Sequence, residues 1–241
     1  MTRREWLERA ALVSVAWSMS TGDAAAQPRS ASSALDHVLL GAPDLDAAVA
    51  WFEKTTGVRP VIGGSHPGMG TRNALVSLGG RQYLEIIAPD PVQSVYNFHI
   101  DVRGLPEPRL VTWAAATPAL DGVVSAARSG GLKVFGPADG SRVRPDGKTL
   151  RWRSAGVIAD LRMGTVDPVP FFIEWAAGSP HPAADSPGGC RLTAFEVSHP
   201  DPERLQRVLA ALGLEAAVTR APAAALGAVI TTPNGEIRLG S

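Results

Sequence analysis

One order of elements is written three times along this chain, and that repetition constrains the fold more than any other feature. From Leu35, "LDHVLLGAPDLDAAVAWFEKTTG" reads strand, Pro43-Asp44, helix, Gly57. From Leu110, "LVTWAAATPALDGVVSAARSGG" reads strand, Thr117-Pro118, helix, Gly130-Gly131. From Leu192, "LTAFEVSHPDPERLQRVLAALG" reads strand, Pro200-Asp201, helix, Gly213. In each copy an Asp or Thr near a proline opens the helix and a glycine closes it, the expected start and stop chemistry. Leu45, Val49 and Phe52 fall at helical spacing in the first copy, as do Leu205, Val208 and Leu209 in the third.

Short strand-like runs follow each helix. The first helix leads into "VRPVIG", "TRNALVSL" and "RQYLEIIAP". The second leads into strands around Arg142–Arg144 and "KTLRWRSA", then "PFFIEWAAG"; the third into "AAVTRAP", "LGAVITTP" and "EIRLGS". The unit is therefore βαβββ, and the expected class is α+β: a cupped mixed sheet with helices on its outer face and a concave face left for a site. Two units, about residues 34–90 and 109–177, form one domain over residues 34–180. A third, degenerate unit spans 190–241, beyond the Pro/Gly/Ser-rich "GSPHPAADSPGG" boundary.

Bulk composition narrows the function. Lys plus Arg equals Asp plus Glu at 23 each, so the formal net charge is zero. Nucleic-acid binding, which needs a basic excess, is disfavoured. The single cysteine, Cys190, excludes an intramolecular disulfide and a cysteine-based zinc site. Residues 1–26 read as a targeting segment: Arg3-Arg4 in "TRREWL", a modest apolar stretch from Ala10 to Met19, then Ala24-Ala25-Ala26. That string resembles a twin-arginine export signal. It implies cleavage after Ala26 and a periplasmic or secreted protein with no membrane association after processing. The alternative is an amphipathic N-terminal helix of a cytoplasmic protein.

Paired βαβββ units with "DH" on the first strand and "YLE" on the fourth resemble the vicinal oxygen chelate superfamily, which includes glyoxalase I and the extradiol dioxygenases. More narrowly, "LDHVLLGAPDLDAA", "GGSHPGMGTRNALVSLGGRQYLEIIAPD" and "RPDGKTLRWR…PFFIEW" look like its glyoxalase-like domain group. The resemblance implies that the first and fourth strands of each unit contribute one metal ligand apiece. It points to His37, Glu85 and Glu174 as metal ligands, with Glu85 and Glu174 also catalytic. Strand alternation then sets Tyr83 and Ile87 on the concave face with Glu85, and Phe172 there with Glu174, while Phe171, Ile173 and Trp175 pack away.

The fourth position carries no such residue, since aligning the second helix sets Val111 or Thr112 opposite His37. One histidine and two carboxylates suit a divalent ion such as Mn, Fe, Ni or Zn. Arg151 or Arg153 could instead neutralise the two glutamates as plain ion pairs. His66 and Asn73, in the glycine-rich "GGSHPGMGTRN", are expected to reach substrate over the cup rim, with Tyr83, Arg151 and Phe172 lining its pocket. His99, His181 and His199 read as surface residues.

The implied function is a divalent-metal-dependent lyase or isomerase acting on a small oxygenated organic substrate; the alternative is a non-catalytic protein that sequesters such a ligand. An odd number of units also suggests a homodimer paired through the third.

Overall fold

A computed structural model describes residues 28–144 and 146–241. The expected targeting segment, residues 1–26, lies outside the described residues. The chain opens with β1 (Arg29–Ser30) and α1 (Ala31–Ala34). The first unit is β2 (Leu35–Gly41), α2 (Leu45–Thr56), β3 (Val61–His66), β4 (Thr71–Ser77) and β5 (Tyr83–Pro89). The second is β6 (Arg109–Ala116), α3 (Leu120–Ser129), β7 (Lys133–Val143), β8 (Thr149–Ile158) and β9 (Phe171–Trp175). After α4 (Pro182–Asp185) come β10 (Arg191–His199), α5 (Pro202–Ala211), β11 (Leu214–Glu215), β12 (Val218–Arg220), β13 (Ala225–Thr232) and β14 (Gly235–Gly240). Among the described residues no helix is long and apolar enough to cross a membrane.

The helices begin and end for reasons visible in the chain. Asp44 accepts from the Ala47 N–H at 2.8 Å, and Gly57 closes α2 at φ 77°, its N–H donating to Glu53 O. Asp201 caps α5 in the same way, accepting from Arg204 N. The second helix departs from the pattern. Its N-cap, Ala119, has no capping side chain, and the carboxylate of Glu174 accepts from Leu120 N at 3.3 Å.

Eight strands form one sheet in the order β3-β4-β5-β2-β6-β9-β8-β7. Each unit supplies four, wired identically, and the units join where β2 and β6 pair antiparallel. The sheet curls until its edges β3 and β7 approach, which is the expected cup. Gly63 on β3 allows that approach. A Cβ there would lie 2.2 Å from Asn73 Oδ1 and 2.8 Å from Arg142 Nη1.

The third segment keeps the element order but not the wiring. Its sheet runs β12-β10-β13-β14, with β12 parallel to β10 and directly beside it, while β11, the strand that follows α5, pairs with β1. This differs from the first two units, where the last strand takes that place. The segment covers the convex face of the large sheet. Trp113 on β6 is fully buried there, its ring 5.2 Å from Phe195 and its Nε1 donating to Pro168 O at 2.9 Å. Val197, Leu226 and Ile230 join Val38, Leu40 and Phe52 in one core. The third unit, expected to lack a partner in the chain, thus packs on the large sheet.

Two segments fill parts of the concave face. The connection between the units lays Ile100, Val102 and Leu105 on Leu39, Ile87 and Val111. The segment after β9 sets Ala183 against Leu75 and Tyr83. Trp113→Ala is expected to cost about 3–5 kcal/mol, as for large-to-alanine changes in sealed cores. Chemical denaturation followed by circular dichroism measures it.

Candidate functional site

His37 and Asp36 are neighbours on a strand, and plain alternation would point them to opposite faces. A bulge brings them together. Leu35 pairs with Ala115 and His37 with Ala114, leaving Asp36 as the extra residue on β2. Bulges re-aim side chains in this way beside many functional sites. The result is a hydrogen bond of 2.7 Å between His37 Nδ1 and Asp36 Oδ1. An ionised carboxylate can only accept, so the imidazole carries its proton on Nδ1 and turns Nε2 into the cup. Asp36 also accepts from Trp175 Nε1 at 3.0 Å and from His181 Nε2 at 3.1 Å. Three donors converge on one buried carboxylate.

Across the cup lies Glu85. Its Oε2 is 3.4 Å from His37 Nε2, and its Oε1 is 3.5 Å from His66 Nε2. Asn73 Nδ2 donates to Oε1 at 2.7 Å, and Asn73 Oδ1 accepts from the Arg142 guanidinium, which fixes the amide's orientation. His66 Nδ1 lies 2.9 Å from the Thr71 hydroxyl. Tyr83 stacks on His37 with ring centroids 4.4 Å apart, and Phe171 meets the same ring edge-on at 5.4 Å. His37 is 2% exposed and Glu85 7%.

Charge at this centre follows from burial set against partners. Burial alone would raise the Asp36 carboxyl, but hydrogen bonds from His181 and His37 hold it well below the usual range. Burial likewise works against the Glu85 carboxylate. The nearby His66, His37 and Arg142, with the Asn73 hydrogen bond, outweigh it and lower the group. For His66 burial dominates and pushes the imidazole down, only partly offset by Glu85. Burial also depresses Arg142 and drives the Tyr83 hydroxyl well up.

Strand register locates the equivalent positions in the second unit. His37 pairs with Ala114 and Leu39 with Thr112, so exchanging the two strands carries His37 to Thr112 and Leu39 to Ala114. Leu39 lies beside Glu85 and Ala114 beside Phe171. Phe171 is therefore the counterpart of Glu85. The second unit offers a hydroxyl and a phenyl ring where the first offers an imidazole and a carboxylate.

The structure thus brings together His37, His66, Asn73, Tyr83 and Glu85. It places Glu174, Phe172 and Arg151 elsewhere. The β6–β9 register turns β9 over relative to the expected alternation. Phe171 and Trp175 face the cup, while Phe172 is buried in the outer core and Glu174 points to α3. Glu174 caps that helix and pairs with Arg153 at 3.2 Å, so it is structural and not a ligand of the cup. Arg151 is exposed on β8. His181, expected on the surface, is buried on Asp36, and His199 is buried against Leu161 O. Sequence reasoning missed Asp36, Arg142, Trp175 and His181. Only Asp36 left a signal, its adjacency to His37.

Beyond Phe171, in the second-unit half of the cup, lies a cavity of about 790 Å³ lined by Thr112, Ser154, Asn97, Phe98 and Asp167 among others. Burial pushes the Asp167 carboxyl up to about 6.

Residues 35–213 match the family described as glyoxalase-like domain. The chain belongs to the glyoxalase-like domain family. It is thereby a member of the vicinal oxygen chelate superfamily. Among curated proteins none matches it significantly. A hypothetical protein from Staphylococcus aureus has a similar fold, with TM-score 0.59 and 14% identity over 86% of this chain and 84% of that one. Methylmalonyl-CoA epimerase from Streptomyces coelicolor, in complex with 2-nitronate-propionyl-CoA, aligns at TM-score 0.44 and 21% identity, covering 61% of this chain and 96% of its own. The Mycobacterium tuberculosis epimerase aligns at 0.41 and 21%, covering 59% and 88%.

Divalent metals are common in this family, so the glyoxalase-like cup has to be tested for one. His37 Nε2 and Glu85 Oε2 are suitable donors, with Asp36 orienting the imidazole as a supporting carboxylate does in many metal sites. The other two positions are Thr112 and Phe171. Asn73 Nδ2, 3.2 Å from His66 Nε2 and bonded to Glu85, sits where an ion shared by those two would lie. Among the described residues no group of three or more His, Cys, Asp or Glu side chains is arranged to hold a metal ion. The residues present do not fit a four-ligand ion site.

Two titrations of opposite sign follow. The folded-state pKa of Asp36 lies below its unfolded value of about 4. Its stabilisation is complete above that value and is lost as pH falls through the folded one. Asp36→Asn should therefore flatten the loss of stability below about pH 4. Asp167, raised to about 6, binds its proton more tightly when folded. Stability should fall as pH rises from about 4 to 6, and Asp167→Asn should abolish that fall. Urea midpoints measured from pH 3 to pH 8 check both.

Proposed function

We propose that this glyoxalase-like protein is an acid–base enzyme of lyase or isomerase type that moves a proton on a small oxygenated organic substrate. One observation carries the reading: the buried Glu85 carboxylate is held between two imidazoles, His37 and His66. A carboxylate can accept a proton from a carbon next to a carbonyl, and the partners that keep Glu85 ionised also make it a weaker base. His37 is a suitable carrier, because Asp36 fixes its Nδ1–H and leaves Nε2 3.4 Å from Glu85 Oε2 to take up or return a proton. Arg142, acting through Asn73, keeps Glu85 ionised between turnovers. The 790 Å³ cavity beyond Phe171 supplies space for the substrate body, and its Thr112 and Ser154 hydroxyls suit an oxygenated ligand. No step is assigned to Mn, Fe, Ni or Zn, since among the described residues of the cup His37 and Glu85 alone are suitable donors.

A second reading, non-catalytic ligand binding, draws support from the enclosure of His37 and Glu85 behind Phe171. The export expected from residues 1–26 rests on the sequence alone and would place either activity in the periplasm or outside the cell.

Assays across small hydroxy- and keto-acids and aldehyde adducts test the proposal. With a turned-over substrate in hand, Glu85→Gln should lower kcat by about 10²–10⁴-fold with the fold retained. His37→Ala should lower it too, and prior chelation should leave the wild type unchanged. Binding without turnover would favour the second reading. A chelation-sensitive rate restored by a divalent ion would show that a metal is required.

A further inference from the structure

A row of side chains on the cup face of the second unit has no part in the acid–base chemistry. The register opposes His37 to Ala114, Ala114 to Phe171, and Phe135 to Gly156. Across β8 and β9, Ala155 is opposite Phe172, so the next pair in that register is Gly156 with Phe171. One line therefore crosses the sheet as His37, Ala114, Phe171, Gly156, Phe135. Packing agrees with this parity. Phe171 packs with Phe98 on the Leu39 and Ile87 cluster inside the cup. The adjacent Phe172, Ala155, Val157 and Val134 pack in the core on the opposite face.

Rings and small residues alternate along this row, but the two small positions differ. His37 and Phe171 stand on strands either side of Ala114 with ring centroids 5.4 Å apart, so they close over that alanine. Nothing closes over Gly156, where a Cβ would meet no atom within 4 Å. Phe171 and Phe135 flank the glycine from strands two apart, a separation of about 10 Å. A flat ring standing midway would lie about 5 Å from each, within the range at which aromatic rings attract one another. Phe135, Ile158 and Met69 are 67%, 45% and 39% exposed, and all three line the same cavity of about 790 Å³. Large apolar side chains left open around one concavity suit an apolar ligand. Thr112, opposite Leu39 on the cup face and 1% exposed, lines the cavity too. Its hydroxyl makes no hydrogen bond among the described residues, which leaves it for an oxygen of the ligand.

We propose that Gly156 is the floor of a slot for a planar aromatic ring held between Phe171 and Phe135, so that the cavity takes aryl-bearing oxygenated compounds. That the ring is the body of the substrate rests on the acid–base reading of Glu85. The slot itself rests on strand register and packing.

Two probes alike in chain and carbonyl but not in ring shape test it: 4-phenyl-2-butanone and 4-cyclohexyl-2-butanone. NMR titration reads their binding without turnover. The phenyl compound should bind saturably and at least about fivefold more tightly, although the cyclohexyl ring is the more apolar. Gly156→Leu should weaken the phenyl compound at least about tenfold, because the added side chain occupies the slot. No atom lies within 4 Å of that Cβ, so the variant should keep its fold, and its melting temperature checks this. Phe135→Ala, at an exposed position, should weaken binding at least about threefold by removing one wall. No saturable binding of the phenyl compound, equal or tighter binding of the cyclohexyl one, or undiminished binding in either folded variant would overturn the slot. The acid–base reading fails separately, by turnover that survives Glu85→Gln.

Discussion

The antiparallel pairing of β2 with β6 is the contact on which the rest of the molecule depends. It joins two identically wired four-stranded halves into one sheet, and their combined curl brings β3 and β7 close enough for Arg142 to reach Asn73. It also sets which side chains of the two halves correspond. Because the shared register exchanges His37 with Thr112, the two halves of the cup carry different chemistry on the same frame. One half holds ionisable groups. The other holds a phenyl ring, a hydroxyl and a cavity.

That asymmetry fits the electrostatics of the centre. An isolated carboxylate buried like Glu85 would be neutralised by protonation. Here Arg142 supplies a permanent charge at one remove, and Asn73 transmits it as a fixed amide. Asp36 is stabilised differently, by three N–H donors from β2, β9 and the segment after it. His37 lies between these two carboxylates. The third segment contributes no group to this chemistry. It seals the convex face around Trp113, where neither α2 nor α3 covers the middle of the sheet.

Much of this was legible in the chain. The repeated order of strand, cap, helix and glycine was enough for the two-unit cup. The pairing of His37 and Glu85, on the first and fourth strands of one unit, was what the family resemblance implied. Tyr83 lies on the concave face as alternation implied, whereas Asn73, expected to reach over the cup rim with His66, is buried against Glu85. What misled was parity on the short fourth strand of the second unit. In "FFIEW" apolar residues occupy both faces, so composition does not tell the cup side from the helix side. Glu174 was set in the cup by analogy with Glu85, but its carboxylate is used to cap a helix whose own cap position is alanine.

The sequence by itself therefore determined the element order and the helix boundaries, because periodicity and capping act within a few residues of one another. Tertiary structure alone decided that Asp36 turns to the same face as His37, that Arg142 arrives from the far edge, and that Phe171 stands in the place of a second carboxylate. Each of these depends on the register between strands distant in the chain, where a shift of one residue reverses every side chain.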